Sequence, residues 1–280
     1  MSIRRRLLLV AAGTLVAGCT SPGSGPSMAI GATLDTETTL LAHIYAAGLR
    51  YYGTAARVEV TDDVLAALDT GKAGVAPGFT GRLLRRLDPE STARSGAGVY
   101  RAMVAALPEG IAAADYAVAA EDKPAVAVTE ATAARWGGND LSDLVRTCAD
   151  VRVGVLTGAT TPAAVGDCAL PPVAEYGAAA ELFGALRTGA VTAVWTTTAD
   201  TTVPDDVVLL ADRKPTLIPA DNVVALYRRN ELNTMQLRAV NEIAGVIDTA
   251  ALTSMLAQVK TGMDPHVVAE QWLAANPLGR

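Results

Sequence analysis

Met28-Ala29-Ile30-Gly31-Ala32-Thr33 is followed, after Leu34-Asp35, by Thr36-Glu37-Thr38-Thr39-Leu40-Leu41-Ala42-His43-Ile44-Tyr45-Ala46-Ala47-Gly48-Leu49, and this junction decides the fold class. The first run is short and apolar, as a buried strand is. In the second, Leu40, Ile44, Ala47 and Leu49 recur at helical spacing from Thr36 to Tyr52, and Asp35 or Thr36 stands where an N-cap is needed. A strand feeding directly into a helix is the opening of an α/β layer structure.

The alternation continues outward from that junction. Strands are expected at Ala56–Val60 and Ala73–Ala76 with a helix at Asp62–Leu68 between them, and Pro77-Gly78 is read as a break before Phe79-Thr80-Gly81. Helices around Leu83–Leu87 and Gly98–Leu107 precede a strand at Ala114–Ala120. Glu121-Asp122-Lys123-Pro124 interrupts that strand before Ala125–Val128 resumes. A second block alternates through Thr132–Trp136, Val151–Leu156, Tyr176–Arg187, Val191–Trp195 and Val207–Leu210. After Pro219 a strand at Val223–Tyr227 leads into three helices, Leu232–Val246, Thr249–Lys260 and Pro265–Ala275. Two alternating blocks and a helical close imply an α/β protein of two Rossmann-like lobes, the second inserted into the first.

The amino terminus carries a different kind of signal. Arg4-Arg5-Arg6 precedes an apolar run, Leu7 to Val16, too short for a permanent membrane helix and ending in Leu15-Val16-Ala17-Gly18-Cys19. The pattern resembles a bacterial lipobox, which implies cleavage after Gly18 and acylation at Cys19. On that reading residues 1–18 are a lipoprotein signal peptide. The Pro/Gly/Ser-rich residues 19–28 are a flexible tether, and the mature chain sits lipid-anchored on the extracytoplasmic face of the cell membrane.

Composition narrows the function classes. Of 280 residues, 23 are basic and 29 acidic; removing residues 1–18 takes away three arginines and no acid, so the exported chain is more acidic still. No basic cluster remains to neutralise phosphates, which argues against a nucleic-acid partner. With Cys19 lipidated, Cys148 and Cys168 are an even pair in an oxidising compartment, and a disulfide is expected, with a metal site or free thiols as the alternatives. His43 and His266 lie far from both in sequence, which favours the disulfide over the metal site. Neither histidine stands in a recognisable spacing with a nucleophile, and no Gly-x-Ser-x-Gly elbow occurs, so no enzyme is expected. Gly154-Val155-Leu156-Thr157-Gly158-Ala159-Thr160-Thr161 is read as a strand, a turn and a helix start; it lacks the Gly-Lys-Ser/Thr end of a phosphate loop. No cofactor is implied.

The order of elements, with Thr36-Glu37 after the first strand, the Pro-x-Phe-Thr-Gly turn at Pro77–Gly81, Asp115-Tyr116-Ala117, Leu141-Ser142-Asp143-Leu144 and Thr196-Thr197-Thr198-Ala199-Asp200, resembles the substrate-binding lipoproteins of ABC importers for glycine betaine, choline and carnitine. The resemblance runs from about Ala29 to Leu278. It implies a type II periplasmic-binding-protein-like fold with two lobes, residues 29–117 with 220–280 and residues 118–219. Crossovers near Tyr116–Val118 and Ile218–Asn222 would join them. It further implies a monomer that holds a small osmoprotectant-like solute between its lobes and delivers it to ABC permease subunits.

In this family trimethylammonium groups are gripped by aromatic faces through cation–π attraction. This chain departs from the pattern. Where relatives have a run resembling Tyr-Pro-Glu-Tyr-Thr-Gly-Thr, it reads Ala76-Pro77-Gly78-Phe79-Thr80-Gly81-Arg82; Thr38 replaces a glutamine and Ala220 an aromatic. The candidate ligand-binding residues are Thr36, Thr38, Phe79, Thr80, Asp115, Tyr116, Trp195, Thr196 and Thr197. For each a packing or capping role competes: core filling for Phe79 and Trp195, hinge packing for Tyr116, caps for the threonines and Asp115. The missing rings point to a larger, less cationic solute than betaine. They also keep open an alternative, an envelope sensor or scaffold that retained the fold without transport.

Overall fold

The computed structural model describes residues 27–279; the signal peptide, Cys19 and nearly all of the tether lie outside the described residues. The chain runs β1 (Met28–Ala32), α1 (Thr36–Tyr51), β2 (Ala56–Val60), α2 (Val64–Asp69), β3 (Val75–Phe79), α3 (Thr80–Leu87), α4 (Gly96–Ala106) and β4 (Ile111–Ala113). It then crosses to β5 (Pro124–Thr129), α5 (Glu130–Trp136), α6 (Leu141–Arg146), β6 (Val153–Leu156), β7 (Ala164–Val165), β8 (Cys168–Ala169), β9 (Ala174–Tyr176), α7 (Ala179–Thr188), β10 (Ala193–Thr197) and β11 (Val207–Leu209). It returns through β12 (Val223–Arg228) to α8 (Thr234–Val246), α9 (Thr249–Lys260) and α10 (Pro265–Ala275).

Two five-stranded mixed sheets result, in the orders β2-β1-β3-β12-β4 and β11-β5-β10-β6-β9. In the first sheet β1 pairs in parallel with β2 and β3, while the returning β12 runs antiparallel between β3 and β4. Apolar side chains fill both faces, as a covered sheet requires. One face, with Ile30, Val75 and Ala225, packs against Leu40, Ile44 and Tyr45 of α1 and against α8, α9 and α10; the other, with Ala76, Val224 and Leu226, packs against α2, α3 and α4. The second sheet has its own cores, one around Trp136, Leu144 and Trp195 and one around Phe183, Leu186 and Val194. This is the two-lobed α/β fold that the alternation implies.

α1 begins where expected, because the Asp35 carboxylate accepts from the Thr38 N–H at 2.8 Å. Three local expectations are corrected. Pro77-Gly78 does not break the chain: β3 runs through it to Phe79, with Ala225↔Pro77 and Val223↔Phe79 in register with β12. β1 pairs with β3 only at Ile30↔Val75, so the missing proline N–H interrupts no ladder on that side. The strand expected at Ala114–Ala120 lies upstream at Ile111–Ala113; residues 114–120 instead form the irregular first crossover, with Val118 exposed. Nor does a helix follow Gly154–Thr161. A turn closed by the Ala159 N–H on the Leu156 carbonyl leads to the β7–β8 hairpin, which sequence reading missed. That hairpin is tied to the end of α6 by the Cys148–Cys168 disulfide, whose Cα atoms are 5.6 Å apart.

Candidate functional site

The two crossovers run side by side. The Asp122 N–H donates to the Asp221 carbonyl and the Val223 N–H to the Ala120 carbonyl, both at 3.0 Å, and Glu121 bridges to Asn222. The buried Asn222 carboxamide donates to the Ala117 carbonyl at 3.0 Å. From the start of α9, the Thr249 hydroxyl donates to the Ala119 carbonyl. The passages between lobes are therefore fastened to each other by backbone pairing and by the Asn222 and Thr249 side chains.

A hollow lies on each lobe beside these passages. That of lobe 1 occupies about 240 Å³ and includes Thr33, Asp35, Thr38, Pro77, Phe79 and Arg82. It sits at the C-terminal ends of β1 and β3 where the strand order reverses, the position at which open α/β sheets bind ligands. The hollow of lobe 2 occupies about 130 Å³ and includes Leu156, Thr160, Thr161, Trp195, Thr196 and Thr197. Each is smaller than the roughly 300–1,000 Å³ of a complete small-molecule site, as half-sites on facing walls would be. A larger hollow of about 750 Å³ lies elsewhere, between α8 and residues 275–279, and touches neither crossover.

Between the half-sites sits a charged cluster that sequence reading missed. Gly81 has no Cβ, and one there would fall 2.5 Å from the Ala220 carbonyl oxygen, so only glycine lets α3 start against the return crossover. The next N–H, of Arg82, donates to Asp221 Oδ1 at 2.8 Å. The Arg82 guanidinium then reaches three carboxylates: Glu37 of α1 and Asp122 of the outgoing crossover by hydrogen bonds, and Asp221 of the return crossover as an ion pair at 3.0 Å. Its Cζ lies 4.2 Å from the centre of the Phe79 ring. Asp122 also accepts from the Ala199 N–H of lobe 2 at 3.0 Å, so the cluster spans the hinge.

Burial, with the Asp122 charge next to it, pushes the Glu37 carboxyl up to about 8, and burial lifts Asp221 to about 6. Burial works against the Arg82 charge, but Glu37, Asp221 and Asp122 outweigh it and shift the guanidinium upward. A second hinge cation, Lys123, pairs with the buried Asp212 at 3.2 Å.

The candidate residues fall in different places. Thr38 and Phe79 line the lobe 1 hollow, and Trp195, Thr196 and Thr197 that of lobe 2. The Thr38 hydroxyl is bonded to Asp35, and that of Thr196 to Asp200 at 2.7 Å. Phe79 is 1% exposed, its ring shared between the core and Arg82. Trp195 is 2% exposed, and its indole N–H is buried without a partner.

Thr80 is not on a wall: it is fully buried, and its hydroxyl accepts from the Asn222 N–H. Thr36 is exposed at the start of α1 and outside the lobe 1 hollow. Asp115 is exposed on the first crossover, its backbone N–H donating to Asn241 of α8. Tyr116 packs its ring 4.8 Å from that of Tyr100 and lines neither hollow. His43 and His266 stack edge to face, 5.7 Å apart, and line neither hollow. The missed signal was Arg82 itself, a long cation directly after the Pro77–Gly81 motif.

Among curated proteins no sequence matches at a significant level. Solved structures share the fold. YehZ from Escherichia coli, in its apo form, superposes with a TM-score of 0.71 at 18% identity, covering 90% of this chain and 99% of that one. A glycine betaine/carnitine/choline ABC transporter structure gives 0.72 at 17%, covering 89% and 98%. The glycine betaine/L-proline-binding protein ProX from Borrelia burgdorferi gives 0.54 at 11%, covering 90% and 94%. At such identities the likeness shows architecture. Residues 26–275 match the family described as the substrate binding domain of ABC-type glycine betaine transport systems, a family of solute-binding proteins rather than enzymes, and the chain belongs to it.

Proposed function

We propose that the mature protein, lipid-anchored at Cys19 on the extracytoplasmic face of the membrane, binds a small osmoprotectant-like solute between its lobes and hands it to an ABC permease as a monomer. The observation that carries the reading is the pair of hollows beside one hinge: that of lobe 1 at the strand-order reversal of its sheet, that of lobe 2 lined by Thr196, Thr197 and Trp195. Phe79 and Thr38 form one wall of the solute site, and Trp195, Thr196 and Thr197 the other. Residues 1–18 serve as the export signal and 19–28 as the tether, whose composition suits a flexible spacer.

Titration calorimetry of the mature chain against glycine betaine, choline, carnitine and uncharged polyols tests the binding role. Saturable one-to-one binding of at least one solute is expected, and loss of that binding in Trp195→Ala. Failure of every solute to bind would contradict it. Mass spectrometry of membrane fractions checks the anchor: Cys19 should carry a diacylglyceryl group and a new acylated terminus.

A further inference from the structure

The lobe 1 wall presents one aromatic face, that of Phe79, and that face is taken. The Arg82 guanidinium lies 4.2 Å from the ring centre, where a free cation bound by cation–π attraction would lie. With Phe79 only 1% exposed, a second cation has no ring surface to use. The guanidinium is held from three directions by Glu37, Asp122 and Asp221, and Nη2 also donates to the Asp122 carbonyl at 3.1 Å. A solute cation would have to displace a competitor attached to the same chain, present at an effective concentration in the millimolar range or above. Arg82 is also poorly placed for a solute carboxylate, because three carboxyl groups of the protein already surround its guanidinium.

The remaining charged side chains on the two walls are hydrogen-bonded within the protein. Asp35 accepts from the Thr33 and Thr38 hydroxyls, Arg86 donates to Asp63 at 2.6 Å, and Asp200 accepts from Thr196 and Thr202. Among the described residues, the wall groups without an internal side-chain partner are uncharged: the hydroxyls of Thr160, Thr161 and Thr197 and the buried Trp195 N–H.

From this geometry we infer that Arg82 is the specificity-determining residue of the cleft, a tethered cation seated on Phe79 that reserves the site for solutes with an uncharged head group. The inference rests on reading the cleft as a solute site. It separates this chain from a binder of quaternary ammonium compounds by one side chain.

The test compares choline with its carbon isostere, in which a neutral tert-butyl group replaces trimethylammonium, so that the pair differs in charge and hardly in shape. Calorimetry on the wild-type mature chain should show the isostere bound at least as tightly as choline. In Arg82→Ala the vacated seat, with the carboxylates of Asp122 and Asp221 and the Glu37 carboxyl beside it, should reverse the order and favour choline by about tenfold or more. Methylguanidinium should raise the melting temperature of the variant saturably and leave the wild type unmoved. Should Arg82→Ala fold poorly, Arg82→Ala with Glu37→Gln removes one of the stranded carboxyl groups and should show the same reversal.

Wild-type protein that prefers choline, or a folded variant whose preference does not move, would overturn the inference. Wild-type protein binding choline tightly and losing it in Arg82→Ala would leave the solute-binding reading standing and sink the role given to Arg82. A wild type that binds no solute alongside a variant that acquires choline would do the reverse.

Discussion

The hollows of the two lobes are lined by opposite kinds of side chain. Lobe 1 contributes a sheet covered on both faces, and its side is charged, with Arg82 paired to Glu37, Asp122 and Asp221. Lobe 2 is built from shorter strands, stapled by one disulfide, and its side is uncharged but open, with Thr160, Thr161, Thr197 and the Trp195 N–H lacking internal side-chain partners. The contrast teaches that charge in a cleft does not mark ligand contact. On the solute-site reading proposed above, the unpaired hydroxyls and N–H groups, rather than the paired charges, are left to bond a solute.

The comparison breaks if the lobes do not have separate cores. Phe183 is among the largest buried side chains of lobe 2, and Phe183→Ala should cost about 3–5 kcal/mol. Hydrogen exchange should find the loss concentrated in β5, β6, β10 and α7; equal loss of protection in α1 and β3 would contradict separate cores. Reducing Cys148–Cys168, separated by 20 residues, should cost about 3 kcal/mol by the loop-closure argument. That effect belongs to lobe 2 as well, and thiol titration of denatured, unreduced protein lacking Cys19 should find no free thiol.

A smaller effect sharpens the hinge side of the comparison. Gly81→Ala must move α3 away from the Ala220 carbonyl and should cost about 1–3 kcal/mol as an overpacking change. Its distinguishing readout is solute preference, which should shift in the direction expected for Arg82→Ala because the guanidinium is carried off Phe79.

The same charged cluster should make stability depend on pH. In the unfolded chain Glu37 and Asp221 titrate near 4.5 and 3.8, whereas the fold raises them to about 8 and about 6. Between those values the native state holds more protons than the unfolded chain. Their contribution is therefore fully present below about pH 4 and is lost as pH rises toward 8. The melting temperature should fall across that window through these groups, and Glu37→Gln should flatten the upper part of the fall; an unchanged slope would show that Glu37 is solvated as an ordinary carboxylate.

Legibility in the sequence followed the length and periodicity of each element. α1, β2, α9 and α10 were readable almost to the residue, because long helical spacing, Asp caps and an N-terminal proline all point to the same boundaries. The β7–β8 hairpin was not, since two-residue strands have no period to detect. The continuation of β3 through Pro77-Gly78 was hidden for another reason: tertiary pairing with β12 overrides a local turn signal. Of the candidate residues, Thr38, Phe79, Trp195, Thr196 and Thr197 line the two hollows, whereas Thr80, Asp115 and Tyr116 are drawn into the crossovers' own packing and hydrogen bonding. The Arg82 cluster was illegible because its four members are scattered over 185 positions, and only the meeting of α1, α3 and both crossovers makes them neighbours.

A solute held between the lobes should draw them together about the crossovers. Small-angle scattering of the mature chain tests it most directly. The comparison is between free protein and protein saturated with whichever of glycine betaine, choline, carnitine or the tert-butyl isostere calorimetry ranks tightest. A smaller radius of gyration in the saturated sample is the predicted result. An unchanged profile with the solute demonstrably bound would contradict binding by closure of the cleft.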